Sequence, residues 1–301
     1  MTSTIEDIFL KSKPGDLGIF GYPIGHSLSP FMQNPALEFW WNNLLPKKNE
    51  APPIYHKFSV PPSDLKAALF EAKKNGLLGL NVTIPHKEHI IPYLDECDAF
   101  AKEVGSVNTV LFSSGVSKGY NTDAEGFIDS LQGIGFNPQG QRVIVLGAGG
   151  TGTVLVAKLF LEGVKKIFWW NRTPSRIKTF LEQKTMFDSR IKPVGNMNEI
   201  PEPYRIDLIV NTTSIGLNAS DALPVQGLEF HQDQIVYDVI YHRETQFLKE
   251  AKKYEATTLN GIEMLLHQGA RAFEIWTGTK APIELMREFL LKNLQKEGIQ
   301  S

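Results

Sequence analysis

The sequence predicts an α/β protein with two open sheets: an N-terminal, mostly parallel α/β domain, then a doubly wound, Rossmann-type domain. Three observations predict it. Short apolar runs alternate with amphipathic segments along most of the 301 residues, the pattern of strands joined by crossover helices. A glycine-dense turn, Gly147-Ala148-Gly149-Gly150-Thr151-Gly152, follows the β-branched run Val143–Leu146 midway along the chain. From Ile262 onward the chain reads as two helices with no strand between them, so this segment extends neither sheet and is expected to pack back on the first domain. The expected division is 1–121 with 262–301 as a substrate-binding, catalytic domain, and 122–261 as a dinucleotide-binding domain.

In the first domain, strand-like runs fall at Leu17–Gly21, Ile54–Val60, Leu77–Val82 and Val107–Phe112. Helical patterns lie between them at about Pro30–Trp41, Ser63–Asn75 and Lys87–Lys102, and Ser113-Ser114-Gly115 with Lys118-Gly119 reads as a turn at the end of the set. In the second domain, strands at Val143–Leu146, Ile167–Trp170, Leu208–Asn211, Ile235–Val239 and Thr257–Leu259 alternate with helices, the first at Thr151–Leu161.

The glycine turn has a chemical reading. Gly147, Gly149 and Gly152 fill a G-x-G-x-x-G frame, in which bare backbone lets a pyrophosphate approach the unpaired N–H groups and positive dipole end of a helix. The next apolar run ends at Asn171-Arg172-Thr173, about 20 residues on, where the residue facing the adenosine ribose belongs. An NAD-selective site usually has a carboxylate there. This chain has an amide and a guanidinium, with Arg176 one helical step further, which suits a 2′-phosphate through charge-assisted hydrogen bonds.

Composition narrows the class of protein. With 42% hydrophobic and 21% charged residues, the chain supports two domains with cores of their own. A net charge of −2 and a pI near 6.4, with no basic stripe, argue against nucleic acid or an anionic membrane as partner. A single cysteine, Cys97, excludes an intramolecular disulfide and fits a reducing compartment. The opening MTSTIEDIFLKSKPGD has no apolar core of a signal peptide, and Val143–Ala157 is too short and glycine-rich to span a bilayer. A cytoplasmic location is expected.

Three polar clusters in the first domain and at its boundary with the second carry the candidate chemistry. In His26-Ser27-Leu28-Ser29-Pro30, two hydroxyls at i and i+2 enter a helix where they meet an anionic or polyhydroxylated ligand, although Ser29 before Pro30 equally suits a helix N-cap. In Asn81-Val82-Thr83-Ile84-Pro85-His86-Lys87, Asn81 and Thr83 alternate in phase at the carboxyl end of a strand, the ligand-binding edge of such sheets. Pro85 then sets Lys87 at an expected helix start. A lysine there opposes the macrodipole, so chemistry rather than helix stability is its expected purpose. His86 and His89 lack a third ligand in any zinc or iron pattern, and no metal is expected. The third cluster is Ser106-Val107-Asn108-Thr109 with Tyr120-Asn121-Thr122-Asp123-Ala124-Glu125-Gly126; Asp123 either caps the following helix or pairs with a lysine, holding it as ammonium.

In order, HSLSP, NVTIPHK, SVNT, NTDAEG, GAGG, NRT, NTTSIGL, YDVIY and NGIEMLLHQGA resemble shikimate dehydrogenase, the NADP-linked family of aromatic amino-acid biosynthesis, over nearly the whole chain. The resemblance implies Lys87 and Asp123 as the catalytic pair. It places Ser27, Ser29, Asn81, Thr83, Lys87, Asn108, Asp123 and Gln268 on the substrate, with Tyr241 nearby. Gly147, Ala148, Gly149, Gly150, Asn171, Arg172, Thr173, Arg176 and Thr212 match the NADP site, and Val239 and Gly261 the nicotinamide pocket. Four positions depart from the family's habit: Gln33 for histidine, Tyr120 for aspartate, Asn260 for aspartate, and Thr153 for an arginine frequent in NADP-selective members.

The implied reaction is reversible reduction of 3-dehydroshikimate to shikimate in a cleft between domains that closes on its ligands, with a small-molecule substrate as partner and a monomer or homodimer as assembly. The alternatives are a quinate/shikimate dehydrogenase using NAD, and a ligand-binding regulatory relative that has lost its chemistry; intact Lys87 and Asp123 argue against the second.

Overall fold

Runs of β-branched and aromatic residues, cut by glycine, proline and asparagine, become strands because those side chains fit a pleated, buried surface. The structure, a computed structural model, describes residues 5–45 and 50–296, so the first four residues of the amino-terminal segment read above and the last five of the chain lie outside it. Two compact units meet in sequence at Gly126/Phe127, Met264/Leu265 and Asn293/Leu294.

The first unit is built on β1 (Leu17–Gly21), β2 (Tyr55–Ser59), β3 (Gly79–Val82), β4 (Glu96–Cys97), β5 (Thr109–Ser113) and β6 (Val116–Tyr120), in the order β2-β1-β3-β5-β6-β4. Three ladders are parallel, β1–β2, β1–β3 and β4–β6, and two antiparallel, β3–β5 and β5–β6. Helices α1 (Ile5–Phe9), α2 (Ser29–Asn43), α3 (Leu65–Lys74) and α4 (Ala99–Val104) accompany this sheet. Its core gathers around Phe9, Phe20 and Phe58, whose ring centroids lie 4.6 to 6.1 Å apart. Full burial of each such ring stabilises the fold by roughly 1.5–3 kcal/mol. Cys97 packs partly buried against this core, and burial, reinforced by Asp98, pushes its thiol pKa up.

Two local expectations give way here. No helix spans Lys87–Lys102: a run of turns, a 3-10 turn at Ile91–Tyr93 and the short β4 occupy it, and α4 begins only at Ala99, where the Asp98 carboxylate accepts from Ala101 N at 2.7 Å. Pro92 lacks an amide hydrogen and obstructs the preceding turn, which breaks the helical pattern. Lys118-Gly119 lies inside β6 rather than in a turn. The turn is Ser114-Gly115, with φ of 51° and 78°, the two left-handed residues that a two-residue hairpin of this twist requires.

Helix α5 (Asp123–Gln132) leads into the second unit, whose strands are β7 (Arg142–Leu146), β8 (Lys166–Trp170), β9 (Ile191–Val194), β10 (Leu208–Asn211), β11 (Ile235–Asp238) and β12 (Thr257–Leu259). Their order, β12-β11-β10-β7-β8-β9, is all parallel and reverses direction between β7 and β10, the doubly wound arrangement with its ligand-binding switch point. Strand β9 goes unread in the sequence because it is short and contains Pro193, which only an edge strand tolerates. Helix α6 (Gly150–Leu161) is apolar nearly all round and buries Val154 through Ala157, Leu159 and Phe160; α7 (Pro174–Glu182) and α8 (Gln246–Lys252) follow.

The closing pair is α9 (Ile262–Thr277) and α10 (Ile283–Lys296). From Leu265 to Asn293 it belongs to the first unit, where Trp276 Nε1 donates to Val110 O at 3.0 Å and Gln33 Nε2 donates to Gly269 O at 2.9 Å. No described helix is long and apolar enough to cross a membrane.

Candidate active site

The first unit brings Lys87, Asp123, Asn108 and Gln268 into one hydrogen-bonded group from four separate segments. Lys87 Nζ lies 2.6 Å from Asp123 Oδ2, with side-chain exposures of 18% and 9%. Asn108 Nδ2 donates to Asp123 Oδ1 at 2.9 Å, to Thr122 Oγ1 at 2.9 Å and, more loosely, to Gln268 Oε1 at 3.4 Å. Asn108 is fixed in turn, since its Oδ1 accepts from Thr122 N at 2.7 Å. The carboxylate is therefore held at both oxygens, and one of the three ammonium hydrogens of Lys87 is committed to it.

Local chain chemistry explains these placements. Asp123 is the first residue of α5, yet it does not cap the helix: Asn121 Oδ1 accepts from Asp123 N at 3.1 Å and Ala124 N at 3.3 Å. Asn121 satisfies the orphan amides and frees Asp123 for Lys87. Gly126 sits one turn on, where a side-chain Cβ would fall 2.5 Å from the backbone N of Gln268. Only glycine lets α9 approach α5 that closely, and the approach brings Gln268 to Asn108. Lys87 itself lies in a turn, so the macrodipole argument for it does not hold. Its position is set by its own carbonyl, which accepts from Val107 N at 2.8 Å.

Asn81 lies within β3 and Thr83 directly follows it, and their surroundings differ. Asn81 is 4% exposed, and its amide donates to Asn108 O and Thr109 Oγ1, each at 3.0 Å, while Oδ1 accepts from the Tyr55 hydroxyl at 2.6 Å. Burial holds the Tyr55 phenol well above its ordinary pKa against an opposing hydrogen bond with Ser29, so the hydroxyl keeps its proton. Thr83 is half-buried, as is Ser27, whose Oγ accepts weakly from Ser29 N at 3.4 Å. Leu28, not Ser29, is the N-cap of α2, and no side chain caps the helix. The capping alternative for Ser29 thus falls away. His86 is buried with Nε2 donating to Val60 O at 2.8 Å, and desolvation lowers its pKa. His89 Nδ1 faces Pro85 O.

In the second unit the glycine turn leaves the carboxyl end of β7 at the switch point. Gly147 has φ of +108°, and a Cβ on Gly152 would fall 2.4 Å from Gly147 O, so the turn closes only with glycine at both. Gly149 is different: no atom lies within 4 Å of where its Cβ would be, so packing within the protein does not explain it, whereas an approaching ligand would. The turn is braced by Asn171 Oδ1, which accepts from Ala148 N at 3.0 Å, and by Thr212 Oγ1, which donates to Leu146 O at 2.7 Å. Arg172, Thr173 and Arg176 stand exposed at the start of α7, and neither arginine pairs with a carboxylate among the described residues. Gly150 begins α6. Val239 and Gly261 lie together, Gly261 N donating to Ile240 O at 3.2 Å, and Tyr241 stacks edge-on with His242.

Three residues of these sites are not found by sequence reasoning. Tyr55 reads as an ordinary core aromatic of a strand. Asp238 and Asn211 lie within quoted motifs but carry no assigned role; Asn211 Nδ2 donates to Asp238 Oδ1 at 3.1 Å, and Thr245 Oγ1 to Asp238 Oδ2 at 2.7 Å. Desolvation pushes Asp238 up to about 6 despite these bonds.

A parallel doubly wound sheet with a ligand-shaped glycine turn, accompanied by a unit bearing a buried lysine–aspartate pair, defines a dinucleotide-dependent class of α/β protein. Residues 19–110 match the shikimate dehydrogenase substrate binding domain, 131–219 the shikimate/quinate 5-dehydrogenase family, and 261–291 the shikimate 5′-dehydrogenase C-terminal domain. A relative from Methanopyrus kandleri called shikimate dehydrogenase (NADP+) is 40% identical over 286 residues, 93% of this chain and 96% of its own. The chain belongs to the shikimate dehydrogenase family. Among solved structures, shikimate dehydrogenase from Aquifex aeolicus superposes with a TM-score of 0.82 at 36% identity, covering 92% of this chain and 97% of that one. The Thermus thermophilus shikimate 5-dehydrogenase, solved with NADP(H) and shikimate, gives 0.79 at 32% identity over 92% and 99%.

Proposed function

We propose that the chain catalyses the NADP-dependent, reversible reduction of 3-dehydroshikimate to shikimate. The observation that carries this reading is the Lys87–Asp123 contact at 2.6 Å inside a network that fixes both carboxylate oxygens. A ketone oxygen gains charge as its carbon is reduced, and a positioned ammonium stabilises that charge and supplies a proton. Lys87 retains two N–H donors for this purpose, and Asp123 Oδ2 retains a lone pair for a substrate hydroxyl. In the oxidative direction Lys87 takes the proton back.

Ser27 and Ser29, at the uncapped N-terminus of α2, suit a substrate carboxylate. Thr83 and Gln268 suit ring hydroxyls, and Asn108 reaches one by giving up its loose 3.4 Å contact with Gln268. Asn81, with both amide hydrogens occupied, acts chiefly by holding the Asn108 backbone and Thr109 in place and offers one oxygen lone pair to substrate. Tyr241 belongs to the same reading as a further substrate contact.

The residues of the second unit fit NADP. Gly147, Ala148, Gly149 and Gly150 open backbone to a pyrophosphate, and Asn171 and Thr212 hold that backbone in shape. Arg172, Thr173 and Arg176 offer free charge and donors to a 2′-phosphate, and Val239 and Gly261 a surface for the nicotinamide. When bound, NADPH supplies the hydride. The absence of an arginine at Thr153 leaves Arg172 and Arg176 as the phosphate's cationic partners in this region. We place the enzyme in the cytoplasm.

Steady-state assays of shikimate and quinate, each with NADP+ and NAD+, test the assignment. The expected result is the highest kcat/KM for shikimate with NADP+. A preference for quinate with NAD+ would move the chain to the other branch of its family, and no turnover with any pair would make it a binding relative.

A further inference from the structure

At the amino-terminal edge of the second sheet, opposite the glycine turn, lies a cavity of about 460 Å³ lined by Arg142, Lys165, Lys166, Phe168, Lys192, Pro201, Glu202 and Arg205. The cations are Arg142, Lys165, Lys166, Lys192 and Arg205, five against the single carboxylate of Glu202, in a chain whose net charge is −2. They come from separated stretches of sequence, so no basic stripe announces them. Arg142 opens β7 and Leu146 ends it, so this cavity and the glycine turn sit on opposite edges, about 13 Å apart along the strand.

Protein groups orient these cations and neutralise them only in part, Asp188 acting at longer range on Lys166 and Glu202 on the two arginines. Arg142, only 13% exposed, donates to Pro201 O and lies 3.5 Å from Glu202. Lys166 Nζ donates to Ser189 O, and Lys192 Nζ to Glu199 O at 3.1 Å. Lys165 Nζ has no partner among the described residues. Glu202, held at φ of 52°, meets Arg205 at 3.2 Å as well as Arg142, and so serves as the resident counter-ion of both arginines. The aromatic floor is Phe168, with the Arg142 guanidinium 5.6 Å from its ring centroid. Bringing five like charges together raises their mutual repulsion, and carbonyl dipoles offset only part of it. An added anion removes the rest.

We propose that this cavity is a second ligand site that takes a small anion bearing two or more charges, as in a phosphate ester or a polycarboxylate. The three lysines supply point charges to its oxygens, and the arginines, already anchored on Glu202, supply planar donors. Its occupant bridges the starts of β7, β8 and β9 to the segment around Pro201–Arg205.

Titration calorimetry on the full chain, saturated with NADP+ to fill the dinucleotide site, tests this with two probes, inorganic pyrophosphate and citrate. The expected result is one-site binding of at least one probe at millimolar concentration or below, weakening steeply with added salt. Lys165→Ala/Lys192→Ala should weaken it at least tenfold while leaving kcat for shikimate unchanged, and Arg205→Gln should weaken it independently. Arg172→Ala should leave it intact. Binding of pyrophosphate alone assigns the site to phosphate compounds, of citrate alone to carboxylates, and of both to their shared charge. Binding of neither probe, or binding that survives the double substitution or is lost with Arg172→Ala, overturns the proposal.

Discussion

The two regions of this chain proposed to meet ligands are built in opposite ways. Around Lys87 and Asp123 the supporting side chains are already engaged: Asn108 holds the carboxylate, Thr122 and Gln268, and Asn121 holds the amides at the start of α5, before any ligand arrives. Around the glycine turn, backbone is left bare at Gly149, and Arg172 and Arg176 project unpaired among the described residues. The first arrangement suits chemistry, where a group misplaced slightly loses most of its effect. The second suits a large anionic cofactor that brings its own shape and charge and must leave again. Damage should therefore appear as lost kcat in the first region and as lost cofactor affinity or selectivity in the second.

The largest expected effect is on the catalytic side. Lys87→Ala should lower kcat at least about a hundredfold while changing the KM for shikimate only modestly, because the ammonium acts mainly as charge develops on oxygen. Near wild-type kcat in the folded variant would erase the contrast. On the cofactor side, Arg172→Ala should weaken use of NADP by about 1.5–3 kcal/mol in kcat/KM, the value of a charged hydrogen bond, with little change for NAD. Equal losses with both cofactors would show that the arginine does not read the 2′-phosphate.

Smaller effects probe the supports. Asn121→Ala removes the side chain that accepts from Asp123 N and Ala124 N, and should cost about 1–2 kcal/mol in chemical denaturation. If Asn121 also frees Asp123 to face Lys87, kcat falls with it; stability loss without any kcat loss would confine Asn121 to capping. Asp238 gives a pH signature. Its carboxyl is pushed up to about 6 in the fold from an ordinary value of 3.8, so the folded state takes up a proton before the unfolded chain does. Stability from this group thus rises as pH falls through 6 and levels off below the unfolded value. Relative to Asp238→Asn, the wild type should gain about 1 kcal/mol between pH 7 and pH 5. Parallel stability profiles for the two proteins would place the Asp238 pKa near its ordinary value.

What could be read in the sequence follows the range of the interaction. The glycine turn, the strand before it and Asn171 to Arg176 are local in sequence, and the structure keeps them together. The two closing helices are equally legible, since nothing in 262–296 alternates as a strand would. Segments decided by tertiary pairing escape. Pro92 and the pairing of Glu96-Cys97 with β6 override an apparent helix, and β9 needs the sheet beside it to be a strand at all. At the site, Lys87 is singled out for a wrong local reason, a helix start that does not exist. What fixes it is a backbone bond from Val107, which holds the turn, and Asp123, 36 residues away, which orients the ammonium. Tyr55 is invisible in sequence because its link to Asn81 spans 26 residues and leaves no pattern in a strand of core-like residues.

The central claim is that Lys87 and Asp123 work as one device on the ketone being reduced. A double-mutant cycle on kcat, with Lys87→Ala, Asp123→Asn and the combined variant assayed with shikimate and NADP+, measures it most directly. Each single variant should lose about a hundredfold or more, and the double variant should be little worse than the poorer single one, because the second substitution removes a partner already idle. Losses that multiply in full across the cycle would contradict the account and assign the two side chains independent roles.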